Sequence, residues 1–120
     1  MPKIILARAP MTRRLCEPNP LDVTVKSAKG WASMLAPTWT MVRGYKDGTL
    51  SEADYTVAYR EILKRKVPLV IGHLRLGVPA ITFLCYCPDG AFCHTHLLID
   101  LLCEHYPEDF EDGRPRKAQP

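Results

Sequence analysis

Apolar and polar positions along this chain alternate between short continuous runs and helical stripes. Lys3 to Ala9 (Lys-Ile-Ile-Leu-Ala-Arg-Ala) is a brief apolar run, β-branched near its start and closed by Pro10, which predicts a buried first strand. Val78 to Tyr86 is the clearest strand of all, apolar on both faces, entered through Pro79 and ended by Pro88-Asp89-Gly90. A run buried on both faces belongs at the centre of a parallel sheet. From about Phe92, residues Leu97, Leu98, Leu101, Leu102 and His105 trace one broad stripe, predicting a helix that stops before Pro107. Strand, tight loop and helix together make an α/β unit.

The middle of the chain reads as helical. Pro37-Thr38 supplies start chemistry, Trp39, Val42 and Tyr45 recur at three-residue steps, and Asp47-Gly48 supplies a stop, so a two-turn helix is expected there. Ser51 precedes Asp54 as a capping-box variant, and Tyr55, Ala58, Tyr59, Ile62 and Leu63 mark one face of a second helix ending at Lys64-Arg65-Lys66. Leu69 to Leu76 fits either strand or helix, and helix is preferred. Between Pro10 and Gly30 no helical period survives, and Leu21 to Val25 is read as extended. Glu108 to Pro120 is almost devoid of apolar side chains, so the expected organisation is a single α/β domain over 1–106, a small mostly parallel sheet flanked by helices, with a flexible tail over 107–120.

Composition narrows the class. With 120 residues, one core is enough, and no apolar stretch approaches the roughly 20 residues that span a bilayer. Arg8 interrupts the N-terminal apolar run, which argues against a secretory leader. Five cysteines without a regular framework point to reduced thiols in the cytoplasm rather than to disulfides. A net charge of +3 is too weak to announce nucleic acid and does not exclude it.

The candidate chemistry is concentrated between Cys85 and His96, across the C-terminal end of the best strand and the first turn of the helix after it. Open α/β sheets bind ligands at that edge. Three readings compete for it. Cys87 or Cys93 with His94 would make a catalytic or ligand-binding pocket, helped by the positive end of the helix, which favours thiolate and anions. Cys85, Cys87, Cys93 and His96 would make a zinc site, although the spacing is not a usual paired Cys-x-x-Cys form. The same thiols, and His94 on the inward stripe, would equally serve as packing residues. A thiol-phosphatase loop is disfavoured, since the place for its arginine six residues after Cys87 holds Cys93. Arg8, Asp22, Thr24 and Lys26 flank the first strand and the long loop; if the strands are parallel neighbours, they open onto the edge that holds Cys87 and can meet an anionic ligand. Trp39 and Tyr45 are read as core, and Arg13 and Arg14 as solvated charges.

These motifs resemble the domain-of-unknown-function 488 family (DUF488) of bacteria and their phages. The resemblance runs over about residues 20–106 and rests on Leu21-Asp22-Val23-Thr24, on Ala36-Pro37-Thr38-Trp39 with Tyr45-Lys46-Asp47-Gly48 and Tyr55 to Tyr59, and on Leu84-Cys85-Tyr86-Cys87 through Phe92-Cys93-His94. It implies an α/β fold and an enzyme-type pocket for a phosphorylated or nucleotide-like molecule, with a phage setting that points to nucleotide or nucleic-acid metabolism or to host conflict. In relatives the Cys-His pair is commonly followed by arginine; Thr95 stands there in this chain, with Arg8 or Lys26 as replacements. The runner-up is an interaction module, zinc-supported or metal-free, such as a phage inhibitor that binds a host protein.

Overall fold

The computed structural model describes residues 3–75, 77–87 and 91–115. Its strands are β1 (Ile4–Pro10), β2 (Pro20–Asp22), β3 (Ala80–Cys85) and β4 (Phe110–Asp112). The α-helices are α1 (Trp39–Asp47), α2 (Glu52–Leu74) and α3 (His94–His105), and 3-10 helices occupy Met11–Cys16 and Gly30–Leu35. The strands form one sheet in the order β2-β3-β1-β4, with every pair parallel. This is an α/β domain, as the alternation of strand and helix signals implies. Among the described residues no helix is long and apolar enough to cross a membrane.

Parallel neighbours need long crossovers, and the segment carrying α1 and α2 supplies the one from β2 to β3. Pro10 of β1 and Asp22 of β2 stand beside Cys85 and Leu84 of β3, so the C-terminal ends of all three strands open at one edge. The starts of α1 and α2 have local causes. Thr38 caps α1 by accepting from Met41 N at 3.1 Å, and Gly48 ends it with φ 78°, a left-handed conformation that glycine adopts without steric cost. Ser51 caps α2 by accepting from Asp54 N at 3.1 Å.

The helix expected to end at Lys66 continues to Leu74. Its buried stripe of Tyr55, Tyr59, Leu63, Val67, Val70 and Leu74 keeps the same face through the basic triplet and absorbs the Leu69 to Leu74 segment. Pro68 removes one hydrogen bond to the carbonyl of Lys64, but both residues are exposed, so water can take that acceptor. Tyr59 lies fully buried, and its hydroxyl donates to Leu35 O at 2.5 Å, tying α2 to the second 3-10 helix.

The tail expected to begin at residue 107 begins later. Phe110–Asp112 adds β4 to the sheet beside β1, with Ile4 N donating to Asp109 O at 2.8 Å and Gly113 N to Leu6 O at 2.7 Å. Phe110 is only 2% exposed, and one such side chain anchors a segment that is otherwise polar. Arg114 then pairs with Asp100 at 2.5 Å and Asp112 at 2.7 Å. The remainder of the expected tail, 116–120, lies outside the described residues, as does the Pro88-Asp89-Gly90 turn.

Phe110→Ala should lower the unfolding free energy by about 3–5 kcal/mol in a urea titration, the usual cost of emptying a buried aromatic site. A loss below about 0.5 kcal/mol, typical of a surface position, would show that this segment does not belong to the core.

Candidate functional site

Cysteine alternation on β3 and the start of α3 gather sulfur at the open edge. Cys85 closes β3 and is buried, Cys87 is half-buried two residues on, and Cys93, also buried, is the extended residue from which α3 begins. The three Sγ atoms all lie within 4.8 Å of one another. Arg8 reaches this cluster from the neighbouring strand. Its Nη2 donates to Cys85 Sγ at 2.6 Å and to Cys87 O at 3.2 Å, and its Nε donates to Thr95 Oγ1 at 3.3 Å. Thr95 in turn donates its hydroxyl to Cys93 Sγ at 3.3 Å.

Packed thiols share charge unequally. Hydrogen bonds from Cys85, then Cys87, then the Thr95 hydroxyl hold Cys93 well below the ordinary thiol range, against the opposing effect of burial. Hydrogen bonding to Cys85 and Cys93, with burial, pushes Cys87 far above that range. Of this pair Cys93 is the thiol that ionises more readily and Cys87 the one that keeps its proton. At the helix N-terminus, Cys93 also stands where the macrodipole favours an anion.

His94 is oriented by its second nitrogen. Nε2 lies 2.9 Å from Val23 O, and a carbonyl only accepts, so Nε2 bears the hydrogen. Burial lowers the His94 pKa, keeping the ring neutral near pH 7, so its lone pair is on Nδ1. That atom lies 3.7 Å from Cys93 Sγ, suitably placed to exchange a proton with sulfur. The Tyr59 ring meets the His94 ring edge-on at 5.6 Å and limits its rotation.

Cys85, Cys87, Cys93 and His94 line a cavity of about 390 Å³, within the roughly 300–1,000 Å³ range of small-molecule sites. Trp39, Tyr45, Tyr55 and Phe92 supply aromatic wall, and Lys26 and Lys46 supply charge; no aspartate or glutamate is among the described lining residues. Tyr45 packs against Phe92 at 5.1 Å and donates its hydroxyl to Glu52 at 3.0 Å. Lys26 Nζ lies 5.2 Å above the Tyr86 ring. Sequence periodicity assigns Trp39 and Tyr45 to the core, yet both line the cavity, and Trp39 is 47% exposed. Lys46, Tyr55 and Phe92 were not among the expected site residues; the Tyr45-Lys46 motif was the available signal.

The expected site residues separate into distinct places. Cys85, Cys87, Cys93, His94, Thr24 and Lys26 all line the cavity. Arg8 does not line it; its guanidinium lies behind the sulfurs and acts on them. Asp22 borders a different hollow, with Oδ1 accepting from Thr24 N at 2.9 Å and Thr24 Oγ1 at 2.7 Å, and Oδ2 accepting from the Ser27 hydroxyl. The expected zinc set loses His96. Its Nδ1 accepts from Arg114 Nη1 at 3.1 Å, and Arg114 also holds Asp100, so that face of α3 is bound to the C-terminal segment. Among the described residues the group able to hold a metal is Cys85, Cys87 and Cys93.

A family model described as the active DUF488-N3 subclade matches residues 10–106, and the chain therefore belongs to the DUF488 family. No curated protein and no solved structure matches. The matched span includes the thiols, His94 and the cavity wall, whereas Arg8 and Arg114 fall outside it.

His94 gives a pH signature to stability. Its folded pKa lies below 6.5, so under acid the unfolded chain takes up a proton that the folded ring resists. This contribution is complete above the unfolded value and is lost as pH falls towards the folded one. Thermal midpoints of the wild type should fall between about pH 7 and 5.5, and His94→Gln should flatten that fall. Parallel slopes in the two proteins would contradict a buried neutral ring.

Proposed function

We propose that this DUF488 member is a thiol-dependent enzyme acting on a phosphorylated, nucleotide-like ligand, with the Cys93 thiolate as nucleophile and His94 as a general base. The observation that carries this reading is the placement of the Cys93–His94 pair, at 3.7 Å, on the floor of an aromatic cavity whose charged lining residues are Lys26 and Lys46. The walls fit a planar ring, and the lysines fit an anionic group attached to it. The description of the matched subclade as active favours catalysis over a purely structural cluster.

In this mechanism the Cys93 thiolate attacks an electrophilic carbon of the bound ring-bearing molecule and the bond to the departing group breaks, that group leaving with the electron pair; His94 Nδ1 then takes a proton from the water that displaces the sulfur and frees the thiolate. Thr95 and Arg8 are positioning residues. The hydroxyl of Thr95 holds the Cys93 sulfur, and Arg8 fixes Thr95 and Cys85 from behind. Phosphorus is the less favoured centre, because Arg8 faces the sulfurs rather than the cavity.

A second reading is favoured by one specific observation, the three sulfurs within 4.8 Å. Cys85, Cys87 and Cys93 would hold a zinc ion, which would supply Lewis-acid chemistry beside the cavity they line. The guanidinium at 2.6 Å from Cys85 Sγ already places a cation on the cluster, which favours free thiols.

Two measurements test these readings. Alkylation of Cys93 by iodoacetamide, followed by peptide mass, should stay rapid near pH 6, where an ordinary thiol with a pKa of about 8.5 is almost wholly protonated. A tenfold fall for each pH unit below about 8 would remove Cys93 as the activated nucleophile. In thermal-shift assays with nucleoside monophosphates, the wild type should be stabilised, Cys93→Ser should bind without forming covalent adduct or product, and the Lys26→Glu, Lys46→Glu double variant should lose the stabilisation. About one zinc per chain by elemental analysis, with unfolding on chelation, would favour the second reading instead.

A further inference from the structure

Tyr86 stands between two hollows. Tyr86 lines both the thiol cavity and a second cavity of about 420 Å³. The ring is 53% exposed, and its hydroxyl is 2.8 Å from Ser27 Oγ. The second hollow shares the aromatic ring of Tyr86 with the first and adds apolar surface from Met11 and Leu21 and cations from Arg14 and Lys29. Its acidic group, Asp22, has both carboxylate oxygens engaged by Thr24 and Ser27. The charged lining residues thus leave a net positive balance, and Lys26, lying over Tyr86, adds a further cation at the boundary.

We infer that the two cavities take successive nucleotides of one single-stranded polynucleotide, splayed across Tyr86, with the connecting phosphate beside Lys26. This rests on the nucleotide-like reading of the thiol cavity and specifies its substrate. A single strand repeats a flat ring and an anion at each step, which matches two hollows that share the Tyr86 ring and are each lined by cations. A duplex would keep its bases stacked and out of reach of Cys93, whereas an unpaired strand can present one base to each hollow.

Protection of Cys93 from iodoacetamide, read by peptide mass in the full chain, tests this directly. The probes are an unpaired oligonucleotide of about ten residues, the same sequence as a duplex, and the four nucleoside monophosphates. Half-protection should need at least about tenfold less single strand than monophosphate, as expected when a second base also stacks, and the requirement should rise steeply with salt. The Arg14→Glu, Lys29→Glu double variant should lose that advantage while keeping monophosphate protection. Equal protection by monophosphate and single strand, or by single strand and duplex, overturns the inference and leaves the thiol-cavity reading standing. Protection by none of the probes, with Cys93 still rapidly alkylated, overturns both.

Discussion

A guanidinium pressed against sulfur is the constraint around which this molecule is arranged. Arg8 can donate to Cys85, to the Cys87 carbonyl and to Thr95 only because β1 lies parallel to β3 in a register that sets Arg8 opposite Phe83, two positions before Cys85. A slip of one residue would turn the side chain to the opposite face of the sheet. The sheet thus holds the site through a chain of contacts: it fixes a cation, the cation fixes a hydroxyl, and the hydroxyl fixes a sulfur.

The aromatic wall completes the division of labour. Tyr55 and Tyr59 come from one helix, but they serve different purposes, since Tyr59 is wholly enclosed and orients His94 while Tyr55 faces the cavity. Phe92 packs against both Tyr45 and Tyr55, joining three segments of chain just before the thiolate-bearing helix begins. Packing of this kind lets one hydrophobic mass both stabilise the fold and shape a binding surface.

Much of the fold was legible in the sequence because strands buried on both faces leave continuous apolar runs, and β1 and β3 are such runs. Two boundaries were not. Pro68 and three basic residues look like a helix end, but tertiary burial of Val67, Val70 and Leu74 carries α2 past them. β4 was hidden because an edge strand of three residues needs only one buried side chain, Phe110, to hold it. At the site, strand alternation and the start of α3 brought the thiols together as their spacing implied. His96 was misplaced because Arg114, far along the chain and in a segment read as tail, captures it. The cavity wall was illegible for a different reason. Helical periodicity separates inside from outside but cannot tell a core from the lining of a hollow, so Trp39 and Tyr45 passed as packing residues.

Strand order has a further consequence for biogenesis. β1 is flanked on both sides by strands from much later in the chain, β3 and β4. During translation, Arg8 leaves the ribosome long before either neighbour has been synthesised, and such distant pairings close slowly. The nascent polypeptide must therefore carry its N-terminal apolar segment unpaired until β3 emerges, and Cys93 and Thr95 follow later still, making assembly of the sulfur cluster a late event in the maturation of the protein.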